Sequence, residues 1–270
     1  MRRTLFPYYI IVTILIIIVS CSKEDVSENA ARLRIKLTDA TSLVLKELHV
    51  DIAEIYVFVT DSTSTEGEWV QLEFSGGEYN LLNLMNGKTV QLVDQYFPAY
   101  KEIEKIRLQL GNNNRILTVT DKPIPLQLSP EIIDGLIINN IEVDLATNVI
   151  SSVIIDINAA LSIHEINGNW FLKPAARAFA ETYGGSIKGY VSPMEANPFV
   201  AIIQDTDTFY TFPEPNGMFY FFGLKEGVWD IHLVANPETN YRDTVFTDTL
   251  SVGQKLELTP NPIRLQFNTP

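Results

Sequence analysis

One cysteine, three histidines and a shortage of bases set the first limits on this 270-residue chain. A single cysteine excludes a disulfide framework and the usual thiolate zinc sites. With 33 acidic residues against 20 basic ones, the formal net charge is −13. That balance argues against a nucleic-acid partner, because a phosphate backbone needs Lys/Arg-rich surface. Helical periodicity is also missing, since no segment sustains a 3.6-residue apolar repeat over three turns. Low-complexity tracts are absent. What remains is a globular composition, 46% hydrophobic and 20% charged, at a length that suits one or two domains.

The first residues carry an address. Arg2 and Arg3 precede an apolar run over 8–19 that only Thr13 interrupts. The run has the length of a secretory core and is short of the roughly 20 residues of a membrane span. Its end, Ile18-Val19-Ser20-Cys21, resembles the lipobox of bacterial lipoproteins. The resemblance implies a signal peptide over 1–20, a diacylglycerol on Cys21, and a third acyl chain on the amine freed by cleavage. Several acyl chains anchor stably where one is marginal. An ordinary signal peptide or an uncleaved anchor is the alternative. The following Ser22-Lys23-Glu24-Asp25 is similar to the export signal of some Bacteroidetes lipoproteins. Lys23, Glu24 and Asp25 are then the sorting residues, and the expected location is the outer membrane, lipid-anchored and at the cell surface. A periplasm-facing anchor is the alternative. The polar stretch 21–30 reads as a tether.

From residue 31 onwards the pattern is β. Arg32 to Leu37 alternates, with Leu33, Ile35 and Leu37 on one face and three cations on the other, as a half-buried antiparallel strand does. Over 48–59 the inward set is Leu48, Val50 and Ile52, then Ile55, Val57 and Val59. The parity changes at Ala53-Glu54, which predicts a β-bulge. Lys105 to Leu110 alternates and runs into a turn at Gly111-Asn112-Asn113-Asn114. Further strands are expected at 68–74, 88–93, 115–119, 124–128, 136–144, 149–157 and 169–179. Short helices are allowed at 79–85 and 158–166. A break at Tyr183-Gly184-Gly185 reads as a hinge between two domains, 31–182 and 183–270. The fold class is all-β, two sandwiches in series.

Two stretches carry family likenesses. Gly185-x-Ile187-x-Gly189-x-Val191, with Asn216-Gly217-x-Phe219-x-Phe221-x-Gly223-Leu224-x-x-Gly227-x-Trp229-x-Ile231, resembles the carboxypeptidase-regulatory-like, transthyretin-like β-sandwich. That family usually has Tyr at the place of Trp229. Thr38-Asp39-Ala40, Trp69-Val70-x-Leu72, Tyr79 to Leu84, Ile106 to Gly111, Asp156-x-Asn158-Ala159-Ala160 and Leu172-Lys173-Pro174 resemble an uncharacterised lipoprotein domain of Bacteroidetes envelopes. Its members often have Pro where Thr41 stands. This likeness implies an immunoglobulin-like β-sandwich and no activity.

Candidate chemistry is sparse. His49, His164 and His232 are scattered, and His49 is expected to face solvent. His164-Glu165 lacks the second histidine of a zinc-protease helix, because Gly168 occupies its place. Gly184-Gly185-Ser186-Ile187-Lys188 misses the nucleophile elbow at its final residue. Asp205 and Asp207 share a strand face in this reading, and either bind calcium or form a solvated edge. Asp39 either meets a ligand or caps a turn. No catalytic residue, metal site or cofactor is assigned.

One face stands out. If the strands around 213–217 form a hairpin, Tyr210 opposes Tyr220, Phe212 opposes Met218 and Thr208 opposes Phe222. The resemblance to the carboxypeptidase-regulatory-like sandwich implies Phe219 and Phe221 inward, and period two then gathers Tyr210, Phe212, Met218, Tyr220 and Phe222 outward. The face meets an external protein or glycan, or packs on the first domain. The expected protein is a non-enzymatic envelope binder or adhesin, attached to the membrane through its N-terminal lipid, with an unknown protein or glycan as partner. The alternatives are a structural stalk or assembly subunit, and a glycan hydrolase.

Overall fold

The computed structural model describes residues 30–40, 45–61, 66–118 and 122–268. The signal peptide, Cys21, Lys23, Glu24, Asp25 and the tether up to residue 29 lie outside the described residues.

The first lobe is a sandwich. One sheet has four strands in the order Ala175–Ala180, Ile150–Asn158, Ala30–Ala40 and Val90–Pro98. The other has eight and is built on Leu45–Asp61 and Lys101–Leu110. Leu33, Ile35 and Leu37 from the first sheet and Val50, Ile52, Ile55, Val57, Ile106 and Leu108 from the second join one fully buried core. The bulge expected at Ala53-Glu54 is present: the register against Lys101–Leu110 shifts between Ile52 and Glu54. One expectation is corrected. Ala30–Ala40 is antiparallel only to Val90–Pro98 and runs parallel to Ile150–Asn158, with Ile35 beside Val153. A parallel partner needs a long crossover, and the chain between the two strands supplies it, adding Val90–Pro98 to this sheet and forming the eight strands of the opposing one.

Within Ile150–Asn158, residues 153–157 are buried on both faces of the strand, and the apolar run Val153-Ile154-Ile155 reflects this. Val153, Ile155 and Ile157 enter the first core. Ile154, also buried, shares a cleft with Tyr183, Tyr220 and Phe222 of the following chain. Proline and positive-φ residues break the longer expected strands. The stretch 169–179 is interrupted at Pro174, which has no N–H for the ladder, and 136–144 splits around Asn140 (φ 60°) and Glu142 (φ 49°). The two allowed helices shrink to single 3-10 turns, Leu81–Leu84 and Ala159–Leu161.

The second lobe is also a sandwich. Gly185–Ser192 is flanked by Met218–Leu224 and Lys255–Glu257, and the facing sheet runs Asp207–Thr211, Phe199–Gln204, Gly227–Val234, Thr244–Leu250. Phe219, Phe221, Trp229, Ile187 and Ile231 fill its separate core. Trp229 is buried and donates its indole N–H to the Lys225 carbonyl at 3.1 Å.

The hairpin expected around 213–217 does not form. Asp207–Thr211 pairs with Phe199–Gln204, so Tyr210 lies beside Ala201. Met218–Leu224 pairs with Gly185–Ser192, so Tyr220 lies beside Lys188. The chain changes sheets in between. Pro213 and Pro215 lack the N–H groups that would extend a ladder through the loop. Asp205, with φ 51°, instead closes a tight turn between Gln204 and Asp207. Asp205 and Asp207 therefore do not share a strand face, and Asp207 pairs with Lys225 at 3.0 Å.

Candidate functional site

Two places concentrate chemistry: the seam between the lobes and the outward face of the first lobe's larger sheet. The seam begins at the end of Ala30–Ala40. Thr38 is buried, with its hydroxyl 3.0 Å from the Leu84 carbonyl and 2.9 Å from that of Lys88. It fixes the turn that carries Asn86 and Gly87. The Asn86 amide donates to the Phe212 carbonyl at 2.9 Å. Its oxygen accepts from the Thr211 hydroxyl at 2.9 Å and the Tyr220 N–H at 3.2 Å. Gly87 has φ 77°, and a Cβ there would lie 2.5 Å from the Tyr220 ring. Lys88 pairs with Glu214 at 2.6 Å and, through that hydrogen bond first, holds the Glu214 carboxyl below its usual range.

Arg177 closes the other side. It meets Asp156 at 2.8 and 2.9 Å and donates to the Gly223 carbonyl at 2.7 Å. Its guanidinium stacks 4.4 Å from the Phe209 ring and 4.8 Å from that of Phe179. Asp39 is 7% exposed. Its Oδ1 accepts from the Ala159 N–H at 3.1 Å, so it caps the 3-10 turn there. Its Oδ2 has no hydrogen-bond partner. Burial first, and then the neighbouring Asp156 charge, push the Asp39 carboxyl well above the carboxylate range, against the pull of the Ala159 N–H. Asp39, Asp156, Arg177, Tyr210 and Tyr220 line a cavity of about 30 Å³. That holds a water molecule and no organic substrate.

The five residues of the proposed aromatic face are thus divided. Tyr210 and Tyr220 border this cavity together with Phe222. Tyr220 stacks on Phe222 with centroids 6.0 Å apart, and Phe222 meets Phe179 of the first lobe at 6.0 Å. Phe212 and Met218 are half-buried and do not line the cavity. Tyr220 and Phe222 thus pack on the first lobe.

The second place escaped the sequence reading. On the outward side of Leu45–Asp61, Phe58 stands between Trp69 of one neighbouring strand and Lys105 of the other, and Tyr56 between Gln71 and Arg107. The Phe58 and Trp69 rings meet edge to face at 5.4 Å. Lys105 Nζ lies 4.8 Å from the Phe58 centroid. The Arg107 guanidinium lies 4.2 Å from Tyr56 and 4.9 Å from Trp69. The Tyr56 hydroxyl donates to Glu54 at 2.5 Å. The signal was available: the alternation that sends Val57 and Val59 inward sends Tyr56 and Phe58 out.

The histidines are not assembled. His49 is half-buried, not solvent-facing, because Glu47 (2.7 Å) and Arg115 (3.1 Å) hold its ring nitrogens. Among the described residues no group of three or more His, Cys, Asp or Glu could hold a metal ion. Among them, too, no helix is long and apolar enough to cross a membrane.

Residues 30–174 match DUF4382, a domain of unknown function. The chain belongs to this family. The DUF4382 match covers the strands that carry Asp39, Asp156 and the Tyr56 face, and it stops before the second lobe. No curated protein matches the chain. Among solved structures it is similar to the TIE protein of Bacillus anthracis, at 9% identity over 88% of this chain and TM-score 0.25. The chain spans about a third of that protein, 34% of its length. It is also similar to BcpA, the major pilin subunit of Bacillus cereus, at 10% identity over 88% of this chain and 70% of that one, TM-score 0.26. The shaft pilin spaA of Lactobacillus rhamnosus GG is 9% identical over 88% of this chain and 97% of its own, TM-score 0.22.

Proposed function

We propose that the protein is a non-enzymatic binding protein of the cell envelope, lipid-anchored through Cys21 in the outer membrane and displayed at the cell surface. In this reading the DUF4382 domain makes the contact, and residues 183–270 form a second sandwich fixed beside it. The observation that carries the reading is the outward face of Tyr56, Phe58 and Trp69 with Lys105 and Arg107. Three aromatic rings on a solvent-side sheet face are unusual, and aromatic and arginine side chains dominate the energetics of recognition surfaces. The anchor rests on Ile18-Val19-Ser20-Cys21. The bonds of Asn86 and Arg177 across the lobes favour a second role, a structural stalk or assembly subunit in which the second sandwich is fixed against the first.

A glycan array, probed with the detergent-solubilised full-length protein, tests the reading. Binding by the parent and its loss in Trp69→Ala is the expected result. Equal binding by parent and Trp69→Ala would remove the face from the function.

A further inference from the structure

We infer that the end of the first lobe at which Ala30–Ala40 begins rests on the lipid bilayer, with Tyr96, Tyr100, Val149 and Ile150 set into the headgroup layer. The inference rests on the anchor at Cys21 proposed above and adds which surface of the folded chain the membrane covers.

Four large apolar side chains converge there. Arg32 is paired in register with Tyr96 on one side and Ile150 on the other, so the three share the outward face of the sheet. Tyr96 is 52% exposed and Ile150 48%. The Asn148 N–H donates to the Ala30 carbonyl and the Arg32 N–H to that of Val149, both at 3.0 Å. These bonds set Val149, also 48% exposed, beside the first residues of the strand. Tyr100 stands two residues after Pro98, the register partner of Ala30, and is 64% exposed. Single exposed apolar residues are ordinary, whereas a group of them marks a contact.

Tyr100 is held in place at a cost. Its φ is 63°, in the left-handed region that a bulky side chain rarely enters. Its N–H donates to the Leu145 carbonyl at 2.7 Å, which fixes that backbone. The exposed ring gains little burial in return within the chain. At a membrane surface the apolar body and the hydroxyl of a tyrosine are both satisfied.

Charge is withdrawn from the same end. Residues 95–100 and 145–153 contain no Asp, Glu, Lys or Arg, in a chain that is 20% charged. Arg32, the charged member of the row, already has Asp94 as its partner. A surface pressed onto lipid has to shed water from its polar groups, and a surface without free charges does so at least cost.

Chain length selects the occupant. Nine peptide steps separate Cys21 from Ala30, at most about 30 Å of chain. Acyl chains on Cys21 therefore keep this end of the lobe close to the bilayer at all times, where even a weak contact is populated. A second copy is the competing cover, but two chains of net charge −13 repel each other.

The test reconstitutes the lipidated full-length protein into phosphatidylcholine vesicles, with and without bromine on the acyl chains, a contact quencher of indole fluorescence. Tyr100→Trp and Ile150→Trp report on the face, and Phe267→Trp in the second lobe is the control. Parent emission is subtracted, and melting temperatures check that each variant is folded. The emission added by Tyr100→Trp and Ile150→Trp should shift to the blue on reconstitution and be mostly lost in brominated vesicles, while that of Phe267→Trp is unchanged. Flotation tests the anchor separately: a protein that does not float with the vesicles overturns the anchor and the inference with it. A protein that floats while both reporters escape quenching overturns the inference and leaves the anchor standing. Equal quenching of Phe267→Trp overturns the choice of this end. A blue shift of the reporters in detergent that grows with protein concentration, without quenching in vesicles, gives the face to a second copy and overturns the bilayer.

Discussion

Asp39→Asn separates a burial cost from a binding role. The parent carboxyl is 7% exposed, accepts one hydrogen bond through Oδ1 and leaves Oδ2 unmet. The charged and titratable groups around its cavity are Asp156, Arg177, Tyr210 and Tyr220. Arg177 is engaged by Asp156, so it does not offset the charge of Asp39 directly. The folded state therefore retains a proton that the unfolded chain releases near pH 4. Above that pH the unfolding free energy falls as pH rises, by up to about 1.4 kcal/mol per unit, until the pH passes the folded value of Asp39. Below about pH 4 both states are protonated and the slope vanishes. Asparagine keeps an oxygen for the Ala159 N–H and cannot ionise. Compared from pH 5 to 8, the variant should gain on the parent until the pH passes the folded value of Asp39 and should hold that gain beyond it. Asp94, lowered chiefly by its hydrogen bond from Arg32, and Glu214 act in the opposite sense: their stabilisation is lost as pH falls below the unfolded carboxylate values. They are common to both proteins and cancel in the difference. Urea unfolding followed by tryptophan fluorescence measures the gap at each pH. A gap that changes by less than roughly 0.5 kcal/mol over those three units, the scatter of a neutral surface change, refutes the account of Asp39.

Three further outcomes are expected. Gly87→Ala should cost about 2 kcal/mol, from a left-handed backbone angle and a Cβ driven into Tyr220. The double variant with Tyr220→Ala should lose less than the sum of the singles, and additivity in a double-mutant cycle would mean that the two residues do not press on each other. Cys21→Ala should abolish fatty-acid labelling; a variant that still takes up the label contradicts the lipobox. Replacing Lys23, Glu24 and Asp25 together by Ala should keep the lipid and protect the protein from protease shaving of intact cells, whereas equal digestion removes the sorting role.

Local pattern was legible and long-range partnership was not. The parity change at Ala53-Glu54 announced the bulge because alternation records which face is buried, and one extra residue inverts it. Phe219 and Phe221 read as core from the resemblance to the carboxypeptidase-regulatory-like sandwich, and they are buried. The parallel pairing of Ala30–Ala40 with Ile150–Asn158 left no local trace, since a crossover of more than a hundred residues fixes it. The false hairpin shows the converse. Spacing and turn residues around 213–217 are those of a short reversal, and only the competing partners Phe199–Gln204 and Gly185–Ser192 reveal that the chain changes sheets. Asp39 could be read as a turn cap, but the turn it caps begins 120 residues later. At the Tyr56 face the residues were readable by parity. The meeting of Trp69, Lys105 and Arg107 around them depends on three strands falling into register.

The place of Ala30–Ala40 within its sheet has a mechanical consequence. It is an interior strand, hydrogen-bonded along its length to Val90–Pro98 on one side and to Ile150–Asn158 on the other. It is also the strand that an amino-terminal tether would pull. Traction at Ala30 along the strand axis acts parallel to both ladders, so their hydrogen bonds bear the load together in shear and do not open one at a time as a peeled edge does. A molecule moored at this end and gripped at its far surface would yield last at its own root, and stretching it in a force-clamp by Ala30 and Phe267 should show the second lobe giving way before this strand.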